Sequence, residues 1–138
     1  MLKVDELGVL TIPTNRKSIK EGEFVGRRDI KKVVFPKELK TIENFAFADC
    51  YNLLSIDFSG WMLESIGIGA FSRCFKLITV SIPLSAKQIG KMAFDKCRNL
   101  ARVTLPQDAY VARGAFLHCH PGLVLNYESF LPGHPSLN

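Results

Sequence analysis

The sequence predicts an α/β repeat solenoid, a right-handed coil with a parallel β-sheet on one face and short helical turns on the other. Two observations lead to this fold class. A motif of the form Ala-Phe-x-x-Cys recurs along the chain, and its Phe positions are 22 to 24 residues apart. A short strand pattern recurs at the same spacing. One repeat cannot bury its own apolar face but stacked repeats can, so the period indicates coils that pack on one another.

The Ala-Phe-x-x-Cys motif is complete in four copies and degenerate in an earlier one, where Glu23 and Arg27 occupy the Ala and Cys positions around Phe24. Every coil thus carries an aromatic ring at the same position. Full burial of each ring would stabilise the fold by about 1.5–3 kcal/mol. The Phe and Cys residues of the complete copies are Phe47 and Cys50, Phe71 and Cys74, Phe94 and Cys97, and Phe116 and Cys119.

Each predicted strand alternates apolar and variable residues, which is typical of a strand with one buried face. Val80-Ser81-Ile82-Pro83 is a clear example. Pro ends the strand without removing a backbone N–H that pairing needs. The corresponding segments are residues 10–13, 33–36, 56–59, 103–106 and 125–127.

A short helix is predicted after each strand and a polar arc. Ile42, Ala46, Cys50 and Leu53 are spaced i, i+4, i+8 and i+11, which places them on one face of a helix. The segments 66–77 and 89–100 repeat this spacing, with a Gly at each expected helix start.

The combined pattern, strand-Pro…Ile-Gly-x-x-Ala-Phe-x-x-Cys-x-x-Leu, is complete between Val80 and Leu100. It resembles the BspA-like leucine-rich repeat family, and the resemblance extends over roughly residues 7–127. It implies a curved leucine-rich-repeat solenoid that binds a protein or surface ligand and does not catalyse a reaction. Members of this family are often found on the surfaces of bacteria and protozoan parasites.

We expect one domain of about five repeats over residues 1–129 and a C-terminal cap and tail over residues 130–138. By register the chain begins in mid-repeat, which suggests a segment of a longer array or a rudimentary cap over residues 1–9. Leu7, Leu10 and Ile12 mark this end, and uncovered edges recruit further strands. We therefore expect association through the N-terminal end, with upstream repeats or as a twofold homodimer.

Composition excludes several classes of function. The net charge of +5 comes from 18 basic and 13 acidic residues that are scattered along the chain, whereas nucleic-acid binding needs basic residues clustered on one face. No signal peptide is expected at the start, and no apolar run reaches the length of a membrane span. The sequence fits a cytosolic protein as given, or a cell-surface protein if it belongs to a longer exported chain.

Catalysis and metal binding are not expected. The Cys residues recur without a CxxC pair, so we interpret them as small buried core residues. His118, His120 and His134 are residue types that bind metals, but no second ligand pair lies at the usual spacing. No Ser, Asp or Cys is joined to a His by a catalytic motif. We predict no catalytic, cofactor-binding or metal-binding residue, and no cofactor.

The first candidate binding surface is the outward face of the sheet, which solenoids commonly use for recognition. Its small polar residues equally suit a solvated face without a partner, since no aromatic anchor lies among them. The sheet positions predicted to contact a partner are Lys32, Val34, Ser55, Asp57, Thr79, Ser81, Arg102, Thr104 and Asn126.

The second candidate is the loop Gly60-Trp61-Met62 in the longest repeat, where Ser59 replaces the expected Pro. The extra residue predicts a bulge, on which Trp61 beside Met62 would form a binding anchor, unless Trp61 lies flat across the neighbouring arc. The leading hypothesis is a non-catalytic protein-interaction module that uses the sheet face or this loop. The alternative is a structural, adhesin-like segment of a longer cell-surface repeat array.

Overall fold

The computed structural model describes residues 2–58, 60 and 62–129, and it shows a β-solenoid of coils stacked in parallel. Each coil has three sides. A longer strand forms the first side, a two-residue strand forms the second, and a series of turns around the central Phe forms the third. The predicted cap and tail over residues 130–138 lie outside the described residues, as do Ser59 and Trp61.

The first side consists of two three-stranded parallel sheets. Inward and outward side chains alternate along each strand, as predicted: Val33 and Phe35 are buried, whereas Lys32 is exposed. The first sheet contains β1 (Val9–Thr11), β3 (Lys32–Phe35) and β5 (Ser55–Phe58), and the second contains β7 (Thr79–Ser81), β9 (Arg102–Pro106) and β11 (Val124–Glu128).

The second side is a five-stranded parallel sheet that the sequence analysis missed. Its register aligns Ile42 with Ile19 on one side and with Ile66 on the other, so the first apolar position of each predicted helix is a strand residue instead. The strands are β2 (Ser18–Ile19), β4 (Thr41–Ile42), β6 (Ser65–Ile66), β8 (Gln88–Ile89) and β10 (Tyr110–Val111).

The predicted helical turns on the third side are wrong, because the described residues contain no helix. The backbone is left-handed two residues before and two residues after the central Phe of a coil: Phe45 has φ 57° and Asp49 has φ 60° around Phe47. A right-handed helix does not contain such residues. The same two positions have positive φ in the other coils, at Gly22, Gly26, Gly69, Arg73, Met92, Lys96, Gly114 and His118.

Hydrogen bonds on the third side explain this backbone. The Phe47 N–H donates to Ala70 O of the next coil at 2.7 Å, whereas the Cys50 N–H donates to Phe47 O in its own turn at 3.3 Å. Donors therefore alternate between the neighbouring coil and the local turn. This alternation joins the coils on their third side and leaves no i to i−4 ladder.

The Phe residues form a continuous ring stack through the core. Neighbouring centroids are 5.1 to 5.4 Å apart from Phe24 to Phe116, and the planes are inclined by 16° or less. Phe47, Phe71 and Phe94 are fully buried, whereas Phe116 at the end of the stack is partly exposed. The ring row predicted from the sequence is thus the central feature of the core.

The sheet of the first side is interrupted in the longest repeat. Within the described residues β5 and β7 are not paired, although both belong to the same side. Ile56 and Phe58 of β5 are only half-buried, whereas Val33 and Phe35 of β3 are buried. The interruption coincides with the extra residue of this repeat.

Residues 2–9 fold back on the first coil. Val4 forms an antiparallel bridge with Leu10, and the Asp5 carboxylate accepts hydrogen bonds from the N–H groups of Leu7 and Val9 at 2.8 and 2.9 Å. Part of the free edge of β1 is covered in this way. Of the row predicted to mediate association, Leu10 and Ile12 are buried and only Leu7 is exposed, at 78%.

Candidate protein-binding surface

The predicted sheet positions lie side by side on the outward face of the first side. The parallel register pairs Lys32 with Ser55 and Val34 with Asp57 in one sheet, and Thr79 with Arg102 in the other. Ser81, Thr104 and Asn126 continue the second sheet. All nine positions are exposed or half-buried, and within each sheet they lie in two rows across the coils.

Three of these side chains carry charges that no described residue neutralises. Lys32, Asp57 and Arg102 form no ion pair within the part of the chain that the structure describes. The break between β5 and β7 also divides the predicted surface into two halves, with Lys32 and Asp57 on one and Arg102 on the other.

The loop of the longest repeat is described in part. Gly60 packs tightly on the preceding coil, where a Cβ would lie 2.1 Å from Lys37 O, so only glycine fits. Met62 is exposed, at 38%. Trp61 lies outside the described residues, and its role as an anchor remains a prediction.

A surface stack of side chains was missed by the sequence analysis. Tyr51 and Phe75 stack at 5.0 Å, the Arg28 guanidinium lies over the Tyr51 ring at 5.0 Å, and the Arg98 guanidinium lies over the Phe75 ring at 4.6 Å. All but Arg28 directly follow a motif Cys, and Arg28 follows Arg27 in the Cys slot. Because all four residues share one position of the repeat, alignment of the repeats could have predicted this stack.

A groove of about 620 Å³ crosses the second side, over β4, β6 and β8. Gly67 and Gly90, predicted as helix starts, form part of its wall. A Cβ on Gly90 would lie 2.6 Å from the Gly67 backbone, and one on Gly67 would lie 2.7 Å from the Asn44 backbone. Their function is to let successive coils approach closely.

The cysteines occupy the predicted core positions. Cys50, Cys74 and Cys97 are buried, Cys119 is half-buried, and all are free thiols. Each Sγ donates to a Phe carbonyl of the preceding coil, for example Cys97 to Phe71 O at 3.1 Å. Burial raises the pKa of Cys50 and Cys119 to about 12, which opposes formation of a reactive thiolate.

The histidines make separate contacts. His118 Nδ1 lies 3.3 Å from the Asp95 carboxylate, and His120 Nδ1 accepts a hydrogen bond from the Gly122 N–H at 2.9 Å. His134 lies outside the described residues. Among those that are described, no group of three or more His, Cys, Asp or Glu residues is placed to hold a metal ion. The same residues contain no helix that is long and apolar enough to cross a membrane.

Parallel strands and stacked anchor residues that recur every 22 to 24 residues are typical of the leucine-rich repeat class. A sequence model of the BspA type leucine-rich repeat region, with six copies, matches residues 3–121. The chain belongs to this family, as the motif indicated.

Solved structures show the same fold. The T. pallidum leucine-rich repeat protein TpLRR superposes with a TM-score of 0.79 at 26% identity over 86% of this chain. A leucine-rich cell surface protein from Faecalibacterium prausnitzii superposes with a TM-score of 0.82 at 25% identity over 98% of it. The pneumococcal vaccine antigen PcpA, with a TM-score of 0.75 over 91% of this chain, is 22% identical and supports the fold alone.

The chain is shorter than these proteins. The superposed region spans 57% of the T. pallidum chain, 34% of the F. prausnitzii chain and 31% of PcpA. Comparison with curated protein sequences finds no significant match.

Proposed function

We propose that this chain is a non-catalytic protein-interaction module that binds a protein or surface ligand through the outward face of its first side. The observation that carries the proposal is the register of the strands, which aligns the outward side chains side by side within each of the two sheets. Small residues such as Thr79 and Ser81 let a partner approach the sheet closely. The charges of Lys32, Asp57 and Arg102 can orient an approaching partner, which favours specificity and rapid association.

The loop of the longest repeat is proposed as a second contact. Met62 is exposed beside the break between β5 and β7, where the half-buried Ile56 and Phe58 add apolar surface. A flexible Met side chain adapts readily to a partner. Trp61 beside it would supply the aromatic anchor that the sheet face lacks.

A structural role in a longer array is the second candidate. The solved relatives are longer repeat proteins, and one of them is described as a cell surface protein. In such an array the coils of this chain would stack on neighbouring repeats, because nearest-neighbour packing stabilises solenoids. We propose a cell-surface location only for that arrangement.

Affinity capture with mass spectrometry tests the interaction function. The wild-type chain is compared with a sheet-face variant that carries Thr79→Lys and Ser81→Lys. A control variant carries Thr14→Lys and Asn15→Lys, at exposed positions in the turn between β1 and β2. All of these side chains are exposed, so the fold should be unaffected. We expect one protein that the wild type and the control retain and that the sheet-face variant loses. A partner retained equally by all three would contradict the sheet face as the binding surface.

A further inference from the structure

One corner of the solenoid carries four stacked side chains, Arg28, Tyr51, Phe75 and Arg98, which we name the Arg–aromatic ridge. They come from four successive coils, so the two guanidinium groups are three coil spacings apart, about 14 Å. Both rings are half-buried and both arginines are exposed. Leu54 and Ile78, three residues after the rings, add apolar surface to the same corner at 48% and 54% exposure.

The stack leaves ring edges available to a partner, but not ring faces. Tyr51 has Arg28 on one face and Phe75 on the other, and Phe75 has Tyr51 and Arg98. The edge of an aromatic ring carries partial positive charge. The ridge therefore presents an apolar strip with a positive rim between two cations, which suits an apolar side chain flanked by carboxylates.

The two arginines are free to bind such carboxylates. Within the described residues Arg28 and Arg98 form no ion pair, whereas the nearby Asp29 is held by Arg27 at 2.8 Å. A guanidinium that lies over a ring can still present N–H groups for a forked pair of hydrogen bonds with a carboxylate. Exposed Lys31 and Lys76 raise the positive charge of this corner further.

We propose that the Arg–aromatic ridge binds an extended acidic segment of a protein partner, with carboxylates at positions i and i+4 and an apolar side chain at i+2. In an extended chain these three side chains point to the same face. Four residues then span about 13 Å, which matches the separation of the two guanidinium groups. The carboxylates pair with Arg28 and Arg98, and the apolar side chain lies on the edges of Tyr51 and Phe75.

The same geometry disfavours other anionic ligands. Single-stranded nucleic acids bind by stacking bases on aromatic faces, and the faces here are already covered. Membrane surfaces are bound by amphipathic helices that lie in the headgroup region, and the described residues contain no helix. A protein segment is the ligand that uses both the fixed distance and the ring edges.

The probe is a fluorescein-labelled peptide, Gly-Asp-Ser-Leu-Ser-Asp-Gly, measured by fluorescence anisotropy against a control peptide with Asn in place of both Asp residues. We expect the Asp peptide to bind about tenfold more tightly than the Asn peptide. The variant Arg28→Gln with Arg98→Gln should lose about tenfold in affinity, and Arg113→Gln, an exposed arginine elsewhere on the solenoid, should lose none. The variant Arg28→Lys with Arg98→Lys should weaken binding nearly as much, because lysine keeps the charge but not the fork.

Full affinity in the lysine variant would overturn the proposal, since it would mean diffuse attraction between charges. Equal binding of the Asp and Asn peptides would overturn it as well. So would binding of a single-stranded oligonucleotide or of phosphatidylserine vesicles that depends on the same two arginines. The ridge is separate from the sheet face, so failure here leaves the capture experiment with the sheet-face variant unaffected.

Discussion

Phe71 and Phe94 lie inside the ring stack, and each contacts a ring on both sides. Replacing either with Ala removes a fully buried ring and leaves a cavity that rigid neighbouring coils cannot fill. We expect Phe71→Ala or Phe94→Ala to lower the free energy of unfolding by about 3–5 kcal/mol in chemical denaturation.

Phe24 is the internal control for that prediction. Among the rings of the described residues it stacks on Phe47 alone, and it belongs to the degenerate first copy. Phe24→Ala should therefore destabilise the protein less than Phe71→Ala. Equal losses at both positions would show that the first coil packs as firmly as the central ones.

The thiols should react in an order set by burial. Cys50, Cys74 and Cys97 are enclosed, and the pKa of Cys50 is raised to about 12 by burial. We expect them to react slowly with a thiol reagent in the native state and rapidly after denaturation. Half-buried Cys119 should be the first to react. Rapid native labelling of all four, or no labelling after denaturation without reductant, would contradict a core of free thiols.

Glu23 makes stability depend on pH. Its carboxylate accepts a hydrogen bond from Arg16 Nη1 at 2.8 Å, and this contact holds the pKa of Glu23 below its ordinary value. A lowered folded-state pKa gives stability that is present above the unfolded pKa and is lost as pH falls through the folded one. We expect Glu23→Gln to cost about 0.2–1 kcal/mol at pH 7 in urea unfolding.

At pH values below both pKa values of Glu23, the wild type and Glu23→Gln should unfold at the same urea concentration. A difference that persists in acid would mean that the pair acts through packing instead of charge. Glu23 occupies the position where the complete motif copies have a buried Ala. Its ion pair with Arg16 explains how the first coil accommodates a charged residue at this position.

Among the elements, the strands of the first side were predicted well because alternation of apolar and variable residues is typical of a strand with one buried face. Val33 and Phe35 are buried and Val34 is not, as the pattern required. The helices were wrong for a physical reason. The inward positions of Ile42, Ala46 and Cys50 recur at helical spacing, but the left-handed residues Phe45 and Asp49 bend the chain into turns.

Side-chain periodicity reports which residues face the core, and it does not report the sign of φ. Glycine is the usual signal of a left-handed residue. At the positions two residues before and after the central Phe, it occurs only in some coils. Phe45, Met92 and Lys96 occupy the same conformation without it. The inter-coil hydrogen bonds of Phe45 and Lys96, to Ile68 O and Leu117 O, join residues more than twenty positions apart and cannot be read from one repeat.

The same distinction applies to the proposed binding surface. The outward rows of the sheet followed from strand alternation, and the structure places them side by side. The interruption between β5 and β7 did not follow, although the extra residue after β5 marked its position. The ridge was missed because each of its residues lies in a turn between the predicted elements. Their common position, directly after the Cys slot, becomes visible only when the repeats are aligned.

At the scale of the whole molecule, association through the N-terminal end remains a prediction. Leu7 is the exposed member of the predicted row, so Leu7→Lys leaves the buried Leu10 and Ile12 intact. Light scattering should show a dimer that this change converts to a monomer. A wild-type monomer at high concentration would refute the dimer and indicate that the fold-back of residues 2–9 is a sufficient cap.

Site-specific photo-crosslinking tests whether a protein partner binds the outward face of the first side. A photoreactive amino acid replaces Ser81 on this face, and in a second preparation it replaces Asn15 in the turn between β1 and β2. Both positions are exposed, so neither replacement disturbs the core. We expect a cross-link to the captured partner from position 81 and none from position 15. A cross-link from position 15 alone, or from neither position while the partner is retained, would contradict it.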